Sequence, residues 1–417
     1  MRTSTRYTGL PRGYIRLLEL LHAADEDSSS VECRLHSVRL EDVVTTATTG
    51  IDATRGQDGQ LWPELSQQRW DYAKLFSNKD FSSSVKEYRR NQFRIFQTTP
   101  SSKTTGDEQQ HLSSAYLALS YVWGASTQER HVVVDGQMRQ VTDNLYAALS
   151  QLRSRSVVRR GLRVWADAIC FNQEDLEERA QQVQLMRQIY SRAAQVVIWL
   201  GSSNEFTELA FTAVHWIAER GYEAEDTPYQ RKGVQWTAPH LFGFMQMHRQ
   251  ANTLPFRNEV VLSLWHLFTL EYWRRLWILL EAASATPNAP ILWGSYCVSV
   301  MDLKAAAAYI EANERWLGRR VACAVGSGVP LQLAPQDFTR DRDLYYQDST
   351  PGRLWKLNLR IFNLRVAESG ASKGVVAAFD VLDLTRKANA TEERDKFWLF
   401  LDCQLYSRSQ PLSQTTL

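Results

Sequence analysis

The sequence predicts an α/β fold, in which a parallel β-sheet is flanked by helices. Three short runs, 117–122, 162–170 and 194–200, are apolar and rich in β-branched or aromatic residues, as buried strands are. The first and third runs are closed by Gly124 and Gly201, which is typical of a strand that feeds a loop. Segments with helical spacing separate the runs, and this alternation indicates βα units in a parallel sheet.

A β-hairpin insertion is predicted at 131–141, between the first two strands. β-Branched residues flank Asp135-Gly136 there, and this dipeptide tolerates the positive φ angles of a tight hairpin turn. A helix is then predicted from Asn144 to about Arg153.

The second strand is followed by a helix with a clear start signal. Asp175 is placed as its N-cap, and Glu178 stands three residues later, as in a capping box that satisfies two free amide donors. Periodicity predicts a core-facing stripe of Ala180, Val183, Met186 and Tyr190. Another amphipathic helix is predicted at 206–220.

The rest of the chain differs in character. Residues 44–114 are rich in Ser, Thr, Gln and Gly, which favours loop with one or two short helices. Beyond residue 240 the pattern is mostly helical, with one short strand at 291–293 and an alanine-rich helix at 302–312. We therefore expect an α-helical subdomain packed on the sheet.

Composition limits the partners and the compartment. The chain has 417 residues, 44% of them hydrophobic, and a net charge of +2, so it lacks the charge that binding to nucleic acid or an anionic membrane requires. Its five cysteines are scattered and odd in number, which argues against a disulfide framework or a zinc site. The N-terminus has no signal-peptide core and no long apolar run occurs, so we expect a cytoplasmic protein.

Most catalytic signatures are missing. The sequence contains no Gly-x-Ser-x-Gly elbow, no phosphate-binding Gly-x-x-x-x-Gly-Lys and no His-Glu-x-x-His. His240 and His248 are eight residues apart with no third ligand near them, so no metal site is predicted.

Four blocks carry a resemblance to a known family. They are YLALSYVWG at 116–124, WADAICFNQ at 165–173, ERAQQVQLMRQIY at 178–190 and VVIWLG at 196–201. In order and spacing they resemble the hallmark motifs of the fungal heterokaryon incompatibility domain, the HET domain. YIRLLEL at 14–20, VECRL at 31–35, YWRRLWILLE at 272–281 and the Arg-Asp-Lys segment at 394–396 are similar to flanking family blocks.

The resemblance divides the chain into four parts. Residues 1–43 are the lead-in of the HET region, 44–114 are a polar insertion, 115–300 are the HET domain, and 301–417 are a C-terminal helical region. That last region is short for the family. Because HET domains are regarded as distant relatives of TIR domains, the resemblance implies a TIR-like sheet.

Glu281 is the candidate catalytic residue that the resemblance implies. In TIR domains a Trp-x-x-x-Glu block supplies the glutamate of an NAD-cleaving site, and Trp277 and Glu281 have this spacing. A carboxylate beside the ribose can stabilise the positive charge that develops when the nicotinamide bond breaks. The alternative is that Glu281 forms a structural ion pair with Arg274 or Arg275. Leu280 replaces the glutamine that the family usually has before this glutamate.

By the same comparison, other residues would line the nucleotide pocket. Ser120, Tyr121, Trp123 and Gly124 end the first strand, where ligands bind in α/β proteins. Tyr121 and Trp123 are equally well explained as core anchors. Asp167, within the second strand, is either a site residue or a buried acceptor for loop amides, and Asn172 is either a ligand contact or a turn residue. Trp277 completes the predicted NAD-binding set.

The resemblance implies a function in fungal non-self recognition and programmed cell death, as an effector or a regulator. NAD would be a substrate, and neither a cofactor nor a metal is predicted. The expected partner is a protein from an incompatible allele or a signalling receptor, with self-association into a homo-oligomer. Two alternatives stay open: a non-catalytic interaction module, and a degenerate HET relative with another role.

Overall fold

The computed structural model describes residues 7, 9–21, 30–43, 62, 65, 68–76, 115–124, 130–223, 256–275, 277–286 and 288–312. Within them, nine strands form one sheet. The strands are β1 Tyr14–Leu20, β2 Glu32–Arg39, β3 Tyr116–Tyr121, β4 Arg130–Val134, β5 Gln137–Val141, β6 Arg163–Trp165, β7 Gln195–Trp199, β8 Pro290–Trp293 and β9 Tyr296–Ser299. Their order across the sheet is β5-β4-β2-β1-β6-β3-β7-β8-β9.

Eight α-helices accompany the sheet in these residues. They are α1 Asp143–Arg153, α2 Ser156–Arg159, α3 Asp167–Cys170, α4 Leu176–Arg192, α5 Thr207–Glu223, α6 Asn258–Thr269, α7 Ile278–Ala283 and α8 Val300–Ala312. Short 3-10 turns occur at Leu40–Asp42, Tyr72–Leu75 and Glu271–Arg274.

The α/β class is confirmed, and the centre of the sheet is parallel as predicted. The four adjacent strands β6, β3, β7 and β8 run parallel to one another. All six residues of β3 are buried, because a central parallel strand is covered on both faces, and this explains its continuous apolar sequence.

The sheet as a whole is mixed, which corrects the prediction of a parallel sheet. β1 pairs antiparallel with β2 and with β6, and β8 pairs antiparallel with β9. β1 and β2, like β8 and β9, are consecutive strands with short connections, which cannot make the crossover that a parallel pair needs. The segment 1–43 thus supplies two strands of the same sheet that residues 115–300 build.

The predicted β-hairpin is confirmed and extends the sheet. β4 and β5 pair antiparallel around Asp135 and Gly136, whose φ angles are +51° and +76°. β4 also pairs with β2, and the Asp135 carboxylate accepts a hydrogen bond from the Leu35 amide at 3.1 Å. The turn aspartate therefore also fixes the hairpin to the N-terminal strands.

The run 162–170 is only partly a strand, contrary to the prediction. β6 ends at Trp165, and residues 167–170 turn into the short helix α3. The Ala166 carbonyl accepts the amides of Ile169 and Cys170, so the backbone is satisfied within the turn and leaves the sheet. Asp167 consequently stands at the carboxyl end of the strand.

The helix α4 begins as predicted but buries a different face. The Asp175 side chain accepts the amides of Glu177 and Glu178, which confirms the N-cap. Met186 and Tyr190 are buried as expected, whereas Ala180 and Val183 are exposed. The buried positions that replace them are Glu178, Gln182 and Ile189.

Polar partners on β1 explain this choice of face. Arg16 and Glu178 form an ion pair at 2.5 Å, with side-chain exposures of 2% and 7%. The Gln182 side-chain amide donates to the Tyr14 carbonyl at 2.9 Å. Glu178 also accepts the Asn172 amide at 2.7 Å, so it caps the preceding turn and holds β1 instead of closing a capping box.

The C-terminal helices pack beside the sheet. α5 packs against α6, α8 and β9, which confirms a helical layer on this part of the sheet. The strand predicted at 291–293 is β8, and β9 follows it. Most of the predicted loop at 44–114, and the predicted helical region after Ala312, lie outside the described residues. None of the helices in the described ranges is both long and apolar enough to cross a membrane.

The Arg16–Glu178 pair should be a strong stabilising contact between the N-terminal strands and α4. Arg16→Met leaves a buried carboxylate without its cation and should lower the free energy of unfolding by about 3 kcal/mol. Replacing both residues by methionine should recover part of this loss, since no unpaired charge remains. Denaturant unfolding monitored by tryptophan fluorescence measures both changes.

Arg39→Met is the matched control, because the Arg39–Glu41 pair is exposed at 52% and 66%. It should change stability by less than about 0.5 kcal/mol. Equal effects of Arg16→Met and Arg39→Met would contradict a stabilising role for the buried pair.

Candidate functional site

A buried polar cluster lies at the carboxyl end of β3. The Ser120 hydroxyl donates to the Glu281 carboxylate, and the Ser120 and Tyr272 hydroxyls are 2.6 Å apart. Ser120 comes from β3, Tyr272 from the 3-10 turn after α6, and Glu281 from α7. All three side chains are buried, and Glu281 is only 3% exposed.

Burial sets the ionisation of Glu281. Desolvation raises its pKa from 4.5 to about 7, against the opposing influence of Arg275 and of the hydrogen bond from Ser120. The carboxyl group therefore exchanges its proton near neutrality, which is the range in which an acid or base is most useful to an enzyme.

The positive charge of Arg275 acts on this buried glutamate and lowers its pKa. The Arg275 guanidinium donates to the Tyr121 carbonyl. Burial alone would lower its pKa, but the charges of Glu281 and Asp167 outweigh burial and raise it. Arg275 therefore acts on both carboxylates through its charge, whereas its hydrogen bond in the described residues is to the Tyr121 carbonyl.

Asp167 and Trp123 form the solvent-facing side of the cluster. The Trp123 indole N–H donates to the Asp167 carboxylate at 2.8 Å, and the ring is 39% exposed. The Ala168 amide donates to the other carboxylate oxygen at 2.8 Å. Burial raises the pKa of Asp167, while Arg275 and these donors oppose the rise.

Tyr121 is buried beside Asp167. Its hydroxyl interacts with Asp167 at a geometry looser than a full hydrogen bond, and no other described group accepts from it or donates to it. Tyr190 donates to the Leu119 carbonyl at 3.1 Å and also interacts with Glu281. Gly124 follows with a φ of +70° and open space where a Cβ would be.

The structure brings five of the predicted residues together: Ser120, Tyr121, Trp123, Asp167 and Glu281. Gly124 ends the same loop. Asn172 instead belongs to the turn before α4, where its side chain accepts the Glu174 amide at 3.1 Å and its backbone donates to Glu178. Trp277 packs half-buried against the core, and its carbonyl accepts the Glu281 amide at 3.2 Å.

Sequence reasoning missed two members of the cluster, Tyr272 and Tyr190. Both lie inside blocks that had already been singled out, 272–281 and 178–190. Their hydroxyls carry no sequence signal of their own, because a buried tyrosine in an apolar run is most simply a core residue.

The arrangement can hold and move a proton, but it has no metal-binding geometry. No group of three or more potential metal ligands occurs among the residues that the structure describes. A carboxyl group that titrates near neutrality, a second carboxylate and a shared arginine are groups suited to acid–base chemistry or to stabilising a cation.

Comparison with known proteins agrees with the motif blocks. The sequence model of the family described as heterokaryon incompatibility protein (HET) matches residues 116–281. Ser120 and Glu281 lie near the two ends of that match. The chain is also 39% identical over 122 residues to heterokaryon incompatibility protein 6, OR allele, of Neurospora crassa.

That alignment covers 27% of this chain and 18% of the Neurospora protein. The chain therefore spans less than a fifth of its relative's length. No solved structure shows a significant match to the chain.

Glu281→Gln should change how stability depends on pH. The unfolded glutamate ionises near 4.5 and the native one near 7, so the native state holds the extra proton between these values and stability falls as pH rises through them. The loss should total about 3 kcal/mol, and the neutral glutamine should not show it. Thermal unfolding of both proteins across this pH range measures the difference.

Glu41→Gln removes an exposed carboxylate and serves as the control, with a pH dependence close to that of the wild type. A stability difference between wild type and Glu281→Gln that stays constant with pH would contradict a buried, proton-exchanging glutamate.

Proposed function

We propose, from the premise that residues 116–281 form a heterokaryon incompatibility domain, that this chain acts in the fungal incompatibility response. In this role it triggers or regulates cell death when genetically different cells fuse. Its partner is a protein encoded by an incompatible allele or a signalling receptor, and its site of action is the cytoplasm. Self-association into a homo-oligomer brings the domains together.

The chemical output that we assign to the domain is hydrolysis of NAD. The Ser120–Glu281 contact carries this proposal, because it places an ionisable carboxyl group at the carboxyl end of a central parallel strand. α/β proteins bind ligands at this edge of the sheet.

The reaction breaks the bond between the ribose C1′ and the nicotinamide nitrogen. The bonding electrons pass to the pyridinium ring and leave it neutral, while the ribose develops oxocarbenium character. Ionised Glu281 stabilises that positive charge. Water then adds at C1′ and releases one proton, so the products are nicotinamide and ADP-ribose.

The other members of the cluster position Glu281. Ser120 donates to its carboxylate, and Tyr272 holds the Ser120 hydroxyl. Arg275 favours its ionised form. Because the reactive form is the carboxylate, the rate should rise with pH through the Glu281 pKa of about 7.

A second candidate function is a non-catalytic interaction module. The observation that favours it is the 3% exposure of Glu281, since a carboxylate enclosed by Ser120 and Tyr272 is also what a structural lock between α7 and β3 requires. In that case the sheet and its helices would serve as an assembly platform.

Nicotinamide release from NAD by purified protein distinguishes the two functions. The wild type, concentrated to favour assembly, should release nicotinamide, and Glu281→Gln should reduce the rate at least about 100-fold. Glu41→Gln is the matched control and should retain activity. Release that is absent from a folded wild type, or equal in Glu281→Gln, would exclude catalysis by Glu281 and favour the interaction module.

The biological role has its own test. Expression of the chain in fused fungal cells of incompatible genotype should cause cell death, and compatible pairings should survive. Death should depend on Glu281 if NAD hydrolysis is the output. Survival in every pairing, at protein levels confirmed by immunoblot, would contradict a role in incompatibility.

A further inference from the structure

The loop after β3 begins where the sheet pairing ends. The ladder between β3 and β7 stops at the Tyr121–Trp199 pair, so a backbone carbonyl beyond this point needs a donor from elsewhere. The carbonyl of Val122, the next residue, accepts a hydrogen bond from the Asn144 side-chain amide at 2.6 Å. Asn144 therefore holds the chain directly before Trp123.

The Asn144 amide has a fixed orientation, because both of its polar atoms are bonded. Its Oδ1 atom accepts the Trp199 indole N–H at 2.8 Å. Trp199 is only 1% exposed, and a buried indole N–H needs an acceptor. With Oδ1 bound to this donor, the Nδ2 group faces the Val122 carbonyl. Asparagine supplies both the acceptor and the donor, whereas a carboxylate of the same size supplies the acceptor alone.

The start of α1 does not depend on the Asn144 side chain. Thr142 is the N-cap of this helix, and its hydroxyl accepts the Leu145 amide at 3.3 Å. A carboxylate in place of the Asn144 amide would favour the helix, since negative charge is stabilising near a helix N-terminus. The effect of exchanging the amide for a carboxylate is therefore expected at Val122 and not in α1.

We infer that Asn144 is a positioning residue for Trp123. Trp123 follows Val122 directly, is 39% exposed, and donates its indole N–H to the Asp167 carboxylate at 2.8 Å. By holding the Val122 carbonyl, Asn144 sets the direction in which the chain leaves β3. That direction decides whether the Trp123 indole reaches Asp167.

In the proposed NAD hydrolysis, on which this step rests, Asn144 affects substrate binding and not bond cleavage. The Trp123–Asp167 pair lies on the solvent-facing side of the cluster. The buried contact between Ser120 and Glu281 does not involve Asn144. Loss of the Asn144 donor should therefore raise KM and leave kcat nearly unchanged.

The test measures how fast indole protons exchange with water. Nuclear magnetic resonance of the full chain, labelled with ¹⁵N in its 14 tryptophans, resolves their indole N–H groups, and Trp123→Phe identifies the Trp123 signal. At a pH of about 8, the Trp123 proton should exchange about tenfold faster in Asn144→Asp, because an ionised carboxylate cannot donate to Val122. The Trp199 indole keeps its acceptor in this variant, so the other tryptophan signals should be unchanged.

Gln184→Glu is the matched control, because it makes the same amide-to-carboxylate change at an exposed position of α4. It should leave every indole signal unchanged, and circular dichroism confirms that each variant is folded. Asn144→Ala is a second variant that lacks both the donor and the acceptor, so the exchange of a second indole proton, that of Trp199, should also become faster. In the wild type, the Trp123 proton should exchange about tenfold more slowly than that of free tryptophan, and an equal rate would overturn the inference without any variant.

The outcomes separate this inference from the proposed function. Faster exchange at Trp123 alone, in a wild type that releases no nicotinamide, would support positioning by Asn144 and overturn the hydrolase. If nicotinamide is released, Asn144→Asp should raise KM for NAD about tenfold and keep kcat within about twofold, and a lower kcat at constant KM would contradict the assigned role. Unchanged exchange at Trp123, or faster exchange at every tryptophan, would overturn the inference even with an active hydrolase.

Discussion

The contact between Ser120 and Glu281 is the constraint on which the matched region depends. It joins the carboxyl end of β3 to α7, residues 161 positions apart in the chain, and thereby brings the beginning and the end of the family match into one cluster. A buried carboxylate is stable only when its neighbours supply hydrogen-bond donors or positive charge, so it restricts which residues can surround it. Ser120 supplies a donor to Glu281, Tyr272 is hydrogen-bonded to that serine, and Arg275 supplies positive charge, because an unsatisfied carboxylate would destabilise the fold.

The sequence predicted the parts of the fold that local patterns encode. The apolar run of β3, the Asp135-Gly136 turn and the Asp175 N-cap each have a short-range physical cause, and each is present. The prediction was wrong where a distant partner decides the outcome. Glu178 is predicted only as a capping-box residue, and Gln182 lies outside the predicted core-facing stripe of α4, but Arg16 and the Tyr14 carbonyl satisfy them in the core. No local pattern contains that information.

The same distinction applies to the candidate site. Glu281 and the loop after β3 could be identified because a lone carboxylate in an apolar run and a glycine after a strand are visible in the sequence. Arg275 was noticed only as a neighbour of Glu281, since its second partner, Asp167, lies more than a hundred residues earlier. The structure also places Asp167 differently from the prediction, because the run 162–170 leaves the sheet at Ala166. That early exit is what presents the carboxylate to Trp123 and Arg275 at the edge of the sheet.

Stability and chemistry make opposite demands on this cluster. A structural role would be served best by complementary charges, with one carboxylate for one arginine. The described cluster instead has two carboxylates for Arg275, and both carboxyl pKa values are raised. The buried Tyr121 hydroxyl interacts with one of these carboxylates, that of Asp167. Carboxyl groups with raised pKa values are concentrated at functional sites. The raised pKa values of both carboxyl groups therefore favour a chemical role more strongly than the burial of Glu281 favours a structural lock, because a lock would need only Ser120, Tyr272 and a neutral partner.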